Sequence, residues 1–212
     1  MKAGNKLKNT TFDDDFFRLL NDEGVNKAYA KIEAWCNAYK DGARGFYLAS
    51  PVPGRCKTSL MVCVQSYIRF HHREYALLGN LSEYVDAKKN DRELYDDYRE
   101  CDVLLFDDIG INNFSGFEGD SLNLALYDLI NSRYNDNKTT CFSSNYTLNE
   151  LVKNKNILPQ TVDRIRGMTI GNWIAIAGNT SVRDLDCIES IEDEAMKTRR
   201  QVFKNYSGQE AD

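Results

Sequence analysis

The chain has 212 residues, 42% of them hydrophobic, and a formal net charge of −5, which suits one domain with a real core. The acidic balance excludes an overall basic nucleic-acid binder and leaves room only for a local basic groove. No apolar run reaches the length of a membrane span, and no apolar segment follows the polar start Met1-Lys2-Ala3-Gly4-Asn5-Lys6, so neither a membrane contact nor a signal peptide is expected.

Residues 1–25 are polar, with an apolar cluster at Phe12, Phe16, Phe17, Leu19 and Leu20, and read as a lead-in segment that packs onto the domain. Near-helical spacing of Tyr29, Ile32, Trp35, Cys36 and Tyr39 predicts an amphipathic helix over 26–40, ended by Asp41-Gly42. The apolar run Phe46-Tyr47-Leu48-Ala49, bounded by turn residues, predicts a buried strand. A Pro/Gly loop follows, then a helix over 57–70 with Leu60, Met61, Val64 and Tyr67 inward. Strands are expected at 75–78, 102–107, 139–143 and 173–177. Helices are expected from Ser82 as a cap, over 91–99, 121–135, after the capping box Thr147-Leu148-Asn149-Glu150, around 162–165, and over 190–206. Strands alternating with helices predict an α/β fold with a mainly parallel five-stranded sheet, helices on both faces, and ligands at the C-terminal strand ends.

Two motifs fall at such ends. The first is Pro51-Val52-Pro53-Gly54-Arg55-Cys56-Lys57-Thr58, between a strand and a helix. It approximates the phosphate-binding pattern G-x-x-x-x-G-K-[ST], but Pro51 and Cys56 stand where glycines are expected. Backbone N–H groups and the helix dipole make such a turn an anion site, so Pro53, Gly54, Arg55, Cys56, Lys57, Thr58 and Ser59 are the candidate nucleotide-binding residues. Lys57 would reach the β- and γ-phosphates and the Thr58 hydroxyl would bind Mg²⁺. The competing reading is an ordinary strand-to-helix turn.

The second motif is Leu104-Leu105-Phe106-Asp107-Asp108, an apolar strand ending in two carboxylates. An acidic pair there is costly unless it serves a cation. Asp107 would hold Mg²⁺ and Asp108 would orient or deprotonate the attacking water; the alternative is a solvated strand end. Asn145, after the polar strand end Ser143-Ser144, is placed to meet that water or the γ-phosphate. The cysteines Cys36, Cys56, Cys63, Cys101, Cys141 and Cys187 form no C-x-x-C pair and are expected to be reduced thiols of a cytoplasmic protein.

With these motifs in place, the chain resembles the AAA+ ATPase module of DnaC/DnaI-type replicative helicase loaders, with IstB-like transposition helpers as close relatives. The resemblance rests on 102–110, on 143–151, on Asp163-Arg164-Ile165-Arg166-Gly167-Met168, and on Gly178-Asn179-Thr180-Ser181-Val182-Arg183. It implies a three-layer P-loop fold over 26–188, ATP and Mg²⁺ as cofactors, and ATP hydrolysis. Asn145 would be the sensor 1 residue, Arg164 the arginine finger acting on a neighbouring subunit, and Arg183 the sensor 2 arginine. It also implies self-assembly into a ring or spiral, a DnaB-type helicase as partner, and single-stranded DNA.

Three features depart from the family pattern. They are the glycine-poor loop, the short segment 1–25 where loaders carry a helicase-binding domain, and a charged tail over 189–212. Two alternatives stay open: a non-hydrolysing P-loop adaptor, and an IstB-like helper acting on duplex DNA.

Overall fold

Apolar strand runs dictate the centre of the molecule. A computed structural model describes residues 12, 17, 20–111, 116–153, 157–179 and 181–182. Its chain order is α1 (Glu23–Ala38), β1 (Tyr47–Ala49), α2 (Lys57–Tyr67) continued by a π-helical turn (Ile68–His72), β2 (Ala76–Gly79), α3 (Leu81–Asn90), α4 (Arg92–Glu100), β3 (Val103–Phe106), α5 (Gly116–Asn135), β4 (Thr139–Ser144), α6 (Leu148–Lys153), α7 (Pro159–Thr169) and β5 (Trp173–Ala175).

The five strands form one parallel sheet in the order β2-β3-β4-β1-β5. Leu104 pairs with Thr140, and Leu48 with both Ser143 and Ile174. Alternation along each strand splits the core in two. Leu48, Val103, Leu105 and Cys141 face a layer built with α1 and α2, which includes Ile32, Leu60, Met61 and Val64. Tyr47, Leu104, Phe106 and Phe142 face a layer built with α3–α7, which includes Tyr84, Leu126, Ile130 and Ile165. Burying a side chain of this size contributes roughly 1.5–3 kcal/mol, so the strands are held chiefly by two-sided burial. The three-layer α/β/α arrangement expected from the sequence is therefore present.

Several boundaries move. The first helix starts at Glu23, because the Asp22 carboxylate caps it by accepting from the Val25 N–H at 2.9 Å. The cap of α3 is Asn80, whose side chain accepts from the Glu83 N–H, and not Ser82. Helix α5 begins at Gly116, before Ser121. Tyr67 is half-buried, while the π-helical turn carries Ile68 inward. The capping box forms as expected: Thr147 N–H donates to Glu150 Oε2 at 2.7 Å, and Glu150 N–H donates to Thr147 Oγ1 at 3.3 Å. Of the lead-in, Phe12, Phe17 and Leu20 are buried, and the Phe12 and Phe17 rings pack against Tyr29. The tail helix expected over 190–206 lies outside the described residues.

Strands β1 and β4 are neighbours, and the helices that follow them, α2 after β1 and α6 and α7 after β4, pack on opposite faces of the sheet. The crevice above their C-terminal ends is where an open α/β sheet binds ligands.

Candidate nucleotide site

Five side chains from three strand ends, Lys57, Thr58, Asp107, Ser143 and Asn145, meet in that crevice. Lys57 opens α2 and is only 6% exposed; its Nζ donates to Asn145 Oδ1 at 2.6 Å. Thr58 Oγ1 donates to Asp107 Oδ2 at 2.7 Å. The other Asp107 oxygen accepts from the Ser143 hydroxyl, and Ser143 Oγ in turn accepts from the Asp108 N–H at 3.0 Å. Ser144 Oγ donates to the Ile109 carbonyl at 2.7 Å, tying the turn after β3 to the end of β4.

The loop before α2 has the shape of an anion cradle. Gly54 has φ +76° and Cys56 has φ 58° with ψ 19°, so two left-handed residues bracket Arg55. No side chain of Cys56 caps α2, and the first N–H groups of a helix have no partner within it. Such a turn concentrates backbone N–H donors on one concavity. Ser59 is buried in the first turn of α2. On the carboxylate side, Asp108 adopts φ 57°, a conformation that aspartate tolerates better than most residues, and Gly110 follows at φ +90°. A Cβ at Gly110 would sit 3.3 Å from the Tyr146 ring, so glycine fits both the turn and the packing.

Chemically, a hydroxyl and a carboxylate 2.7 Å apart form part of a hard-cation donor set that phosphate oxygens and water would complete. A lysine beside an amide oxygen supplies a fixed positive charge to the same cradle. The residues therefore fit Mg²⁺ and a polyphosphate.

Two further candidate residues have their guanidinium groups engaged within the chain. The Arg55 guanidinium, 2% exposed, is committed to Asp22 and to the Ala177 carbonyl, which leaves its main chain to line the loop. Arg164 lies on α7, where its Nε is 3.3 Å from Asn131 Oδ1, its Nη1 3.6 Å from Asp163, and its Cζ 4.8 Å over the Tyr134 ring. Arg183 lies outside the described residues. Sequence reasoning did not single out Ser143, which orients Asp107 and Asp108 together. The local signal for it was the polar strand end Ser143-Ser144, which gave it no role of its own.

Among the described residues, Cys36, Cys56, Cys63, Cys101 and Cys141 form no disulfide. Burial pushes the Cys141 thiol up to about 12. No described helix is long and apolar enough to cross a membrane.

No protein-family model matches the chain, and no curated protein matches it. Solved structures do. The structure of DnaI is 24% identical, with a TM-score of 0.61 over 84% of this chain and 93% of that one. The DnaC helicase loader is 20% identical, with a TM-score of 0.61 over 74% of this chain and 92% of that one. AMPPCP-bound DnaA from Aquifex aeolicus is 18% identical, with a TM-score of 0.59 over 81% of this chain; the chain spans about half, 52%, of that protein. Together with the parallel sheet and the strand-loop-helix turn, these likenesses show that the chain has the P-loop AAA+ fold.

Proposed function

We propose that this chain binds Mg-ATP in the β1–α2 crevice and acts as an ATPase of DNA replication that helps place a hexameric replicative helicase on single-stranded DNA. The observation that carries the reading is the joined cluster Lys57–Asn145 and Thr58–Asp107–Ser143. It brings residues up to 88 positions apart to one end of the sheet, which supports reading them as a cation-and-phosphate site. The likeness to a structure named as a helicase loader supports the replication role.

In this reading the loop amides of 53–59 and Lys57 hold the phosphates, and Thr58 and Asp107 hold the metal. Mg²⁺ supplies charge neutralisation at the phosphoryl oxygens. Asp108 takes a proton from the attacking water, and Asn145 orients that water or the γ-phosphate. Arg164 serves the site of a neighbouring subunit, and Arg183 has the role of the sensor 2 arginine that the resemblance implies.

The test is Mg-ATP binding and turnover, with and without single-stranded DNA, for the native chain and Lys57→Ala. Expected are binding and turnover in the native chain and loss of both in Lys57→Ala. One feature favours a second reading: Cys56 carries a Cβ in the left-handed region of the cradle. A chain that binds Mg-ATP without hydrolysing it, or binds none, would be a P-loop adaptor. Stimulation by duplex over single-stranded DNA would instead favour a transposition-type helper.

A further inference from the structure

Left-handed backbone at a residue with a Cβ persists only where the surroundings over-determine it. In the phosphate loop that support comes from Arg55, which sits between Gly54 at φ +76° and Cys56 at φ 58°. Its guanidinium leaves solvent almost completely, at 2% exposure, and a buried cation must be paired and hydrogen-bonded. Asp22 takes it in a fork, with Nη1 to Oδ2 at 2.6 Å and Nη2 to Oδ1 at 2.8 Å, and Nη2 also donates to the Ala177 carbonyl. Asp22 is itself fixed as the cap of α1 through the Val25 N–H.

Two glycines make the room. A Cβ on Gly24 would stand 2.9 Å from Nη2, and one on Gly178 would lie 2.8 Å from Cζ. A further tie runs from the Val182 N–H to the Gly54 carbonyl at 3.1 Å. Residues 54–56 are thus fastened to segments 33 and 122 positions away in sequence.

We propose that Arg55 and Asp22 are positioning residues. By tying the phosphate loop to the start of α1 and to 177–182, they hold residues 54–56 in the cradle conformation that loop glycines would otherwise supply. The nucleotide part of this inference rests on the Mg-ATP reading above. The clamp itself does not.

The experiment uses the full chain as native protein, Arg55→Met, Asp22→Asn, the double variant, and Arg55→Lys. Amide hydrogen exchange is followed at 54–59 and 177–182, with β3 and β4 amides as the folding control, alongside melting temperature and Mg-ATP affinity. The expected result is at least tenfold faster exchange at 54–59 in both single variants and in the double, with β3 and β4 protection kept. Mg-ATP affinity falls at least tenfold in the same variants. Arg55→Lys, which keeps the charge and loses the fork, falls between. The double variant removes both charges, so its melting temperature recovers toward native while loop protection and affinity stay lost.

Native-like exchange at 54–59 in Arg55→Met overturns the proposal, and so does a double variant that regains affinity together with stability. A native chain that binds no Mg-ATP overturns the nucleotide reading instead, and the exchange data still decide the clamp. Should Arg55→Met fail to fold, Asp22→Asn and Arg55→Lys carry the same test.

Discussion

Cys56 occupies a backbone conformation, φ 58° and ψ 19°, that strains a side chain by roughly 1–2 kcal/mol. Glycine would remove that strain but adds chain entropy to the unfolded state worth about 0.5–1 kcal/mol. Cys56→Gly is therefore expected to leave stability within about 1 kcal/mol of native by urea unfolding and to raise Mg-ATP affinity, since it restores the usual loop residue. A larger loss of stability would mean that the thiol packing against the core outweighs the strain.

Asp22 makes a second residue-scale prediction. Burial opposes its ionisation, but the Arg55 fork, the Val25 N–H and the Arg55 charge outweigh it and hold the carboxyl below its ordinary value of 3.8. The unfolded chain then binds more protons than the folded one in that range. The contribution of Asp22 is complete above the unfolded value and disappears as pH falls through the lower folded value. The melting temperature should fall on acidification below ~pH 4, and the fall should be shallower in Asp22→Asn. Equal slopes in the two proteins would show that the fork contributes no pH-dependent stability.

At the scale of elements, Arg133 joins two helices to the sheet. It lies in the last turn of α5, is fully buried at 0% exposure, and among the described residues has no carboxylate as a hydrogen-bond partner. Its Nη1 donates to the carbonyls of Tyr98, Arg99 and Cys101 at 3.0–3.2 Å, which close the C-terminus of α4. Its Nε reaches Thr140 Oγ1 and its Nη2 the Thr139 carbonyl in β4. The negative end of a helix dipole and orphan carbonyls thus stand in for a counter-ion. Arg133→Met keeps the stem and strands those carbonyls. The expected loss is about 3 kcal/mol by urea unfolding, and a loss under about 1 kcal/mol would mean that water replaces the guanidinium.

The secondary elements were largely legible, because period and caps are local properties. The capping box at Thr147–Glu150 and the all-buried strand Val103–Phe106 formed where the pattern placed them. The early start of α1 was not legible, because Asp22 is recruited as a cap together with its tertiary bond to Arg55. Arg133 was equally hidden. In sequence it looks like any arginine on an exposed helix face.

At the scale of the whole molecule, the arrangement of the sheet puts the Lys57–Asn145 and Thr58–Asp107 pairs at the C-terminal ends of its central strands, while Arg164 sits on α7 against Tyr134 and Asn131. If Arg164 serves a neighbouring chain, turnover per chain should rise with protein concentration. Arg164→Ala should bind Mg-ATP with native affinity and lose turnover by roughly 10³-fold or more. Mixing Arg164→Ala with Lys57→Ala should then restore part of the turnover, because each lesion lies on a different side of a shared site. Turnover that is independent of concentration, with no rescue on mixing, would place Arg164 outside the reaction.

By itself the sequence determined the alternation of strands and helices, the two-sided burial of the strands, and the two motifs at their ends. All of these are written in short windows by hydrophobic period, turn residues and residue type. Tertiary structure alone decided that Lys57 meets Asn145, that Ser143 joins Asp107 to Asp108, and that Arg55 turns from the phosphate loop to Asp22 and Ala177. The reason is physical. A polar side chain's role is set by the partner that compensates its burial, and these partners lie 33 to 122 residues away, where only the packed sheet brings them within hydrogen-bond reach.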